Sequence, residues 1–405
     1  MLHLEPDLLQ TLTLAALVYF AGLQIRRRVG FIDRLNIPAA VVGGLLFALF
    51  ILATRDRLLS IQLATTAQPV FNVAFFTTIG MSASLALLRA GGPPVLLFFL
   101  FSTLFCLIQN FAGIGVARAF GEHPLLGVLA GSVTLVGGPT TGLAFAPLFE
   151  DAGLPGAGVI ALAAATFGIV CGGLVGGPIG GRLIQRHGLR PSGAMLATGA
   201  DPAAASVIAP DEITIPIDRE DTPFVRNLVV LALAMGVGSV VSRGIQSLGI
   251  TLPAYIGAML VASVLRNLDD RTGWLRIDQK VMEFVGNLAL NVFLVVALMD
   301  LKLWQLAELA VPLASILLVQ VAVVALFALT ISWYLMGRDY DAAVMSSGFV
   351  GFMLGTTANA VANMRALVAR YGPAPRAFLV VPLVGAFFID FTNAIIITLF
   401  LNWLR

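Results

Sequence analysis

Apolar runs long enough to cross a membrane recur along this chain of 405 residues and limit what it can fold into. About twenty apolar residues span the hydrocarbon core of a bilayer as a helix. The sequence predicts ten such spans, near residues 8–24, 36–54, 68–88, 94–117, 156–181, 224–242, 250–265, 281–299, 309–335 and 376–403. Charged residues make up 11% of the chain, against roughly 25% in soluble domains. We therefore expect an all-α polytopic membrane protein embedded in a lipid bilayer.

Two stretches rich in glycine and threonine interrupt this pattern. GGPTTGLAFAPLF occupies Gly137–Phe149, and GTTANAVANM occupies Gly355–Met364. Glycine weakens a helix interior, and non-helical backbone is tolerated at membrane depth only where protein or a water-filled cavity covers it. The sequence therefore predicts two re-entrant hairpins, near residues 124–149 and 342–367.

The two halves of the chain resemble each other at a nearly constant offset. Pro38 matches Pro253 (253 − 38 = 215), and the threonine pair at Thr140 matches the pair at Thr356 (356 − 140 = 216). A constant offset indicates an internal repeat. Five spans per copy is an odd number, so the second copy is expected to be inverted, as in secondary transporters. The predicted domains are a first inverted repeat, a cytoplasmic polar linker and a second inverted repeat, at residues 1–185, 186–222 and 223–405.

Basic residues predict the orientation of the chain. With both termini outside, most of the 24 Lys and Arg residues fall in loops on the inside, as the positive-inside rule requires. Counting each hairpin as a full crossing removes this bias, so each hairpin is expected to enter and leave by the same side. The basic residues are spread through short loops, which is not typical of a nucleic-acid-binding protein.

Two hairpins that enter from opposite faces would meet near the membrane midplane and form a binding site. Half-helix N-termini suit a carboxylate, and threonine or asparagine oxygens suit a hard cation such as sodium. The alternative is that these side chains cap broken helix ends by bonding local backbone. Ser132 and Thr134 are weaker candidates on the entering arm. The principal hairpin candidates are Gly137, Gly138, Thr140, Thr141, Gly355, Thr356, Thr357, Asn359 and Asn363.

Asp390 lies near the middle of the last predicted span, where an uncompensated carboxylate costs a few kcal/mol. It is interpreted as a sodium ligand or as a partner for a substrate ammonium; the alternative is a protonated or arginine-paired structural residue. Asn393 follows three residues later and shares the same helix face. Asp300 is interpreted as a solvated carboxylate at the end of a span. The side chains predicted to bind sodium are Thr141, Thr357, Asn363 and Asp390.

Four long segments carry a resemblance to a known family. They are ATFGIVCGGLVGGPIGGRL (Ala165–Leu183), FVGNLALNVFLVVALMDLKLWQLAELAVP (Phe284–Pro312), GRDYDAAV (Gly337–Val344) and ANMRALVARYGPAPRAFLVVPLVGAFFIDFTNAI (Ala362–Ile395). In these segments the sequence resembles the sodium/glutamate symporter family of bacterial inner-membrane carriers. The resemblance covers nearly the whole chain. It implies sodium as the coupling ion, no other cofactor, glutamate or a related small carboxylate or amino acid as substrate, and a homodimer with elevator-like movement.

The sequence departs from the family pattern within the hairpins. The family hairpins usually read something like GGHGTG and GATPTA. Here Pro139 and Thr140 stand where His and Gly are expected, and Asn359 stands in the second motif where Thr is usual. Phe349 stands where a His is often found, and Asp300 where Ser is common. These departures bear on substrate choice more than on the scaffold.

Several other functions are alternatives to sodium symport. A proton-coupled carboxylate carrier would use Asp390 as the proton carrier, and a channel would use the same re-entrant elements. An intramembrane aspartyl protease would need a second carboxylate, such as Asp339 or Asp341, but no GxGD motif accompanies Asp390. A GxxxxGK[ST] motif for ATP binding is also absent. We therefore do not expect an enzyme.

Overall fold

The computed structural model describes residues 2–30, 37–54, 59–191, 223–247, 254–303 and 309–405. Helices α1 to α8 lie at Leu8–Arg28, Ala39–Thr54, Gln68–Ser82, Leu85–Ala90, Gly92–Ala119, Pro124–Val133, Gly138–Asp151 and Ala157–His187. Helices α9 to α16 lie at Pro223–Gln246, Ala254–Thr272, Gln279–Met299, Ala310–Leu335, Tyr340–Leu354, Thr357–Tyr371, Pro375–Leu383 and Ile389–Leu404. Most of the linker, from 192 to 222, lies outside the described residues.

Six helices of the described residues are long and apolar enough to cross a membrane: α1, α5, α8, α9, α11 and α12. They confirm six of the ten predicted spans and the class of polytopic membrane protein. The predicted span 68–88 is shorter, because α3 ends at Ser82 and the Ser84 side chain caps a new helix by accepting from the Leu87 N–H. The spans predicted at 36–54 and 250–265 begin in residues that the structure does not describe. The last predicted span is two helices, α15 and α16.

Two very short strands depart from the purely helical class that the sequence predicts. β1 (Leu2–Leu4) pairs in parallel with β2 (Leu59–Ile61). Asp7 then starts α1 with a capping box, in which its carboxylate accepts from the Gln10 N–H at 2.8 Å and the Gln10 side chain accepts from the Asp7 N–H at 3.1 Å. The strand pair therefore lies at the N-terminal end of α1 and the C-terminal end of α2.

The helices form two packed groups. The first group comprises α1, α2, α3, α9, α10 and α11, and the second comprises α5 to α8 with α12 to α16. Glycines allow close packing in the first group at matched places in each half. A Cβ on Gly22 of α1 would lie 2.2 Å from the Ala39 carbonyl oxygen, and a Cβ on Gly238 of α9 would lie 2.2 Å from the Ala258 Cα. Such approach is typical of small residues between membrane helices.

The same packing pairs recur in the two halves of the chain. Helix α2 packs on α11, as α10 packs on α3. Helix α6 packs on α5, as α13 packs on α12. Helix α16 packs on α6, as α8 packs on α13. Each of these three packing pairs thus has a counterpart in which the two halves of the chain exchange places.

Three π-turns occur in the described residues, and all lie in the second group. Leu129–Val133 ends α6, Ala328–Ser332 interrupts α12, and Val384–Phe388 joins α15 to α16. A π-turn inserts one extra residue into a helix and is frequent at functional sites. The second group therefore contains the irregular backbone from which a site can be built.

Candidate functional site

The first helix break lies between α6 and α7, at residues 134–137. Gly131 inside the π-turn has non-helical dihedral angles (φ −101°, ψ −130°), and Gly138 begins α7 with φ +66°. The Gly138 conformation is one that residues with a Cβ adopt at a cost, which accounts for glycine at that position. The Thr134 hydroxyl donates to the Leu129 carbonyl at 2.7 Å and so satisfies one carbonyl of the interrupted helix.

Side chains from neighbouring helices complete the first break. The Ser132 N–H donates to Asn110 Oδ1 of α5 at 2.9 Å, and Asn393 Nδ2 of α16 donates to the Ser132 carbonyl at 2.9 Å. Ser132, Asn110 and Asn393 are fully buried. The Ser132 carbonyl also accepts from the Val136 and Gly137 N–H groups, so the amide of Asn110 supplies the Ser132 N–H with its acceptor and the amide of Asn393 adds a donor to the carbonyl.

The second helix break lies between α13 and α14, at residues 355–356. Thr356 is extended (φ −144°, ψ 168°), and α14 starts at the next residue. Along the two helices Gly348 faces Met364, Gly351 faces Ala360, and Gly355 faces Asn359. The contacting residues are closer together in the chain the nearer they lie to the break. Helices α13 and α14 therefore form an antiparallel pair.

The second break is fixed by hydrogen bonds that its own side chains donate. The Thr357 hydroxyl donates to the Gly385 carbonyl in the π-turn between α15 and α16, at 2.7 Å. Two side chains of α14 donate to carbonyls of α8: Asn359 Nδ2 to Ile169 at 2.7 Å, and Asn363 Nδ2 to Gly172 at 2.8 Å. The amide groups of these predicted site residues therefore hold α14 against α8, and only their oxygens remain for a ligand.

The two breaks meet. A Cβ on Gly138 would lie 3.6 Å from Thr356 Cγ2, so the start of α7 touches the second break. Gly168 of α8 is wedged beside both breaks, because its Cβ would lie 2.2 Å from the Leu354 carbonyl oxygen and 2.6 Å from Leu135 Cδ2. The residues predicted for the two hairpins are thereby brought to one junction.

Two helices begin at this junction with their N-termini uncapped. Neither Gly137, before α7, nor Thr356, before α14, makes a side-chain capping bond. The first N–H groups of a helix have no intrahelical partner and carry the positive end of the helix dipole. Pro139 contributes no N–H to this set. The junction opens to the surface near Ala358, which is exposed, and near Thr140, which is half-buried.

Several buried oxygens at the junction lack a hydrogen-bond partner among the described residues. They are Ser132 Oγ, Asn359 Oδ1 and Asn393 Oδ1. Leaving a buried polar atom unpaired costs about 1–3 kcal/mol. Neutral oxygens of this kind suit an ammonium group or a hard monovalent cation. The chemistry of the junction therefore combines N–H groups for an anion with oxygens for a cation.

Asp390 lies in the first turn of α16, directly after the π-turn, and is half-buried. The ion pairs found within the described ranges are Arg266–Asp270 and Arg376–Asp339, so Asp390 has no arginine partner there. Its helix contacts the first break through Asn393, which bonds Ser132, and the π-turn before it contacts the second break through Gly385, which bonds Thr357. The arginine-paired structural interpretation of Asp390 is thus not supported.

Asn291 and Asp300 lie outside the two helix breaks, whereas Thr141 lies at the first break. Asn291 Nδ2 donates to the Asn287 carbonyl within α11 at 2.8 Å, which is a local helix bond. Asp300 follows α11 and lines a cavity of about 340 Å³ with Glu150 and Lys302. Burial of the carboxyl raises the pKa of Asp300, Lys302 opposes this rise, and Glu150 adds to it. Thr141 is buried, and its side chain packs against Gly137 at the first break.

Three buried amides of the second group were not predicted from the sequence: Gln109, Asn110 and Gln320. All three are fully buried. The signal was present, since each is a polar residue within an otherwise apolar run, in LFCLIQNFAG and LLVQVAVV. Such residues inside membrane segments usually face the protein interior.

Comparison with known proteins agrees with the resemblance predicted from the sequence. A family model described as sodium/glutamate symporter matches residues 4–373. The sodium/glutamate symporter of Escherichia coli (strain K12) is 39% identical over 412 residues, which cover 99% of this chain and 98% of that protein. That of Haemophilus influenzae is 36% identical over 394 residues, which cover 95% of each. These matches confirm a transporter rather than an enzyme, and the chain belongs to the sodium/glutamate symporter family.

Proposed function

We propose that this protein uses the electrochemical sodium gradient to take up glutamate or a closely related small carboxylate or amino acid. Family membership and the names of the relatives support both the ion and the substrate. The observation that carries the proposal is the junction of Gly138 with Thr356, where two uncapped helix N-termini meet beside unpaired oxygens. Glutamate carries two carboxylates and one ammonium, and this junction offers groups for each.

The carboxylates are assigned to the helix starts. The N–H groups in the first turns of α7 and α14, with the backbone at Gly137, Gly138 and Gly355, act as anion-directed donors. The hydroxyls of Thr140 and Thr356 add donors, since neither hydroxyl has a partner in the described residues. The Thr357 hydroxyl already donates to Gly385, so its oxygen can only accept.

The cations are assigned to the oxygens. Asp390 or Asn359 Oδ1 accepts the substrate ammonium, and Asn393 and Ser132 lie beside them on the first break. Bonding of the Asn363 amide nitrogen to Gly172 leaves Asn363 Oδ1 as the atom that can bind a cation. We assign sodium to oxygens of Thr141, Thr357, Asn363 and Asp390.

The proposal includes inverted repeats with two re-entrant hairpins. Support comes from the threonine pairs at matched offsets, from the paired packing of the two halves, and from the antiparallel α13–α14 pair. The hairpins belong to the second helix group, and elevator-like movement corresponds to sliding of this group along the first. A homodimer, termini outside and placement in the bacterial inner membrane complete the proposal, on the basis of family resemblance and charge distribution.

Proton coupling through Asp390 is the second candidate, because this carboxylate has no ion-pair partner in the described residues. Uptake of radiolabelled glutamate into proteoliposomes separates the two candidates when a sodium gradient and a proton gradient are imposed in turn. We expect uptake with the sodium gradient and competition by acidic amino acids. Uptake of equal size without sodium would remove sodium coupling, and absence of competition by every small carboxylate would remove the substrate class.

A further inference from the structure

Two buried glutamines take no part in the proposed substrate contacts, and one of them, Gln109, reaches the last turn of α13 before the second break. Gln109 belongs to α5 and Gln320 to α12, and both side chains are fully buried in the second helix group. A polar group removed from water in an apolar helix bundle costs free energy unless all its hydrogen bonds are replaced. In both glutamines only some of these hydrogen bonds are replaced.

Each glutamine uses its amide nitrogen and leaves its oxygen unpaired. Gln109 Nε2 donates to the Met353 carbonyl at 2.8 Å, and Gln320 Nε2 donates to the Gln109 carbonyl at 2.7 Å. These two bonds fix the amide orientation, because a flipped amide would place its oxygen against another oxygen. Gln109 Oε1 and Gln320 Oε1 are both buried and lack any partner in the part of the chain that the structure describes.

The backbone next to these oxygens is also electron-rich. Met353 lies in the last turn of α13, immediately before the second break. The last four carbonyls of a helix have no intrahelical partner and carry the negative end of its dipole. Gln109 Oε1 belongs to the amide that bonds this helix end, and Gln320 bonds the Gln109 carbonyl, so the two unpaired oxygens and the Met353 carbonyl belong to one linked set of acceptors.

We propose that Gln109 Oε1, Gln320 Oε1 and the Met353 carbonyl form a sodium-binding site, separate from the residues assigned to the substrate. Hard cations take oxygen ligands, and unwound helix ends supply them in sodium-coupled carriers. A monovalent ion fits better than a divalent one, since the described residues contain no group of three or more His, Cys, Asp or Glu that could hold a metal. This inference rests on the proposed sodium coupling and adds a location for one ion.

An ion at this place would act on the substrate junction through α13. Gln109 holds Met353, and Met353 precedes the Gly355–Thr356 break by two residues. Ordering the end of α13 would order the start of α14, where the substrate donors lie. Ion and substrate would then each raise the affinity of the other, as linkage requires.

The test compares Gln109→Met and Gln320→Met with Val324→Ala. Methionine keeps the length of glutamine and removes the oxygen, while Val324 is a fully buried residue of the same helix that offers only packing. Thermal unfolding of the detergent-solubilised protein is followed against NaCl, with choline chloride keeping the ionic strength constant and glutamate absent. Binding of ²²Na⁺ is measured in parallel.

The wild type is expected to gain thermal stability with NaCl. Both methionine variants should need roughly ten times more sodium for the same gain, and the Hill coefficient for sodium in glutamate uptake should fall by about one. Val324→Ala should lower the unfolding temperature equally in both salts and keep the wild-type response to sodium. Wild-type sodium dependence in the methionine variants would overturn the site and leave a buried water as the partner of the oxygens.

A second substitution guards against misfolding of the methionine variants. Gln320→Glu keeps the shape of the side chain and introduces a carboxylate. A carboxylate in a cation site binds sodium more strongly, so NaCl should stabilise this variant more than it stabilises the wild type. Destabilisation by Gln320→Glu that sodium does not reverse counts against the site. Failure of the wild type to use sodium at all would instead remove the proposed function, so the two failures are distinguishable.

Discussion

At the first helix break side-chain amides reach in from neighbouring helices, whereas at the second break they reach out from the break itself. Asn110 and Asn393 come from α5 and α16 to satisfy the backbone at Ser132. Asn359 and Asn363 belong to α14 and donate to carbonyls of α8. The shape of the first break therefore depends on the position of its neighbours. The second break carries its own attachments, and with them the amide oxygens that we propose as ligand-binding atoms.

This difference has an energetic consequence. The amide that supports the first break pairs with a backbone N–H, and its loss leaves a buried donor without a partner. The amides of α14 donate to carbonyls within α8, a continuous helix whose carbonyls also take part in the helical ladder. Loss of support should thus cost more stability at the first break, and more ligand affinity at the second.

The largest effect is expected from Gly168→Ala, which acts on both breaks at once. The new Cβ would lie 2.2 Å from the Leu354 carbonyl oxygen and 2.6 Å from Leu135 Cδ2, so backbone beside both breaks must move. We expect glutamate uptake into proteoliposomes to fall to background. Gly177→Ala in the same helix is the matched control, because nothing lies within 4 Å of its Cβ position. Normal uptake by Gly168→Ala would show that the junction does not need its observed geometry.

Asp390→Asn tests the carboxylate that directly follows the π-turn between α15 and α16. Removing the charge while keeping the shape of the side chain should lower uptake roughly 100-fold. This corresponds to about 2.7 kcal/mol of lost transition-state stabilisation. Asp300→Asn removes a carboxylate far from the junction and should leave uptake near the wild-type rate. Initial rates at saturating sodium provide the measurement, and equal rates for the two variants would exclude Asp390 from the site.

Asn110→Ala and Asn363→Ala compare the supports of the two breaks directly. Asn110→Ala should lower the free energy of unfolding by about 1–3 kcal/mol, since the buried Ser132 N–H loses its acceptor. Asn363→Ala should cost less stability but weaken sodium binding. Thermal unfolding with and without sodium gives both quantities. The comparison fails if Asn363→Ala proves the more destabilising of the two.

The smallest effect concerns Asp300, outside both breaks. Burial raises the pKa of this carboxyl, with Lys302 opposing and Glu150 adding to the rise. Such an acid contributes stability that is full below its unfolded pKa and is lost as pH rises through its folded pKa. Asp300→Asn should therefore unfold at a slightly higher temperature than the wild type near neutral pH and at the same temperature in acid. Because the Asp300 side chain is partly exposed to solvent, the change in unfolding temperature should be small. A difference between variant and wild type that grows in acid would contradict this prediction.

The sequence predicted features whose causes are local. Long apolar runs specify membrane helices, and glycine–threonine stretches specify the places where α6–α7 and α13–α14 are broken. The threonine pairs could be matched because each belongs to one copy of a repeat.

Features that depend on contacts between residues far apart in the sequence were not predictable. Gln109 reaches Met353, 244 residues away, and Asn393 reaches Ser132, 261 residues away. The sequence also does not tell which end of an amide faces the ligand: Asn363 was predicted to bind sodium, but only the structure assigns its nitrogen to Gly172. The early end of α3 at Ser82 depends on Ser84 and its contact with Asp270 of α10.

The π-turn at Val384–Phe388 has a consequence for helical phase. One residue beyond the α-helical count rotates everything that follows it by about 100° around the helix axis. Asp390 and Asn393 follow this turn, so their direction depends on a surplus residue as much as on their own identity. Loss of a single residue there would nearly keep the length and hydropathy of the last span, would rotate both side chains and would turn Asn393 away from Ser132 of the first break. Single-residue insertions and deletions are therefore a route by which such a carrier can evolve a different polar lining without replacing any side chain.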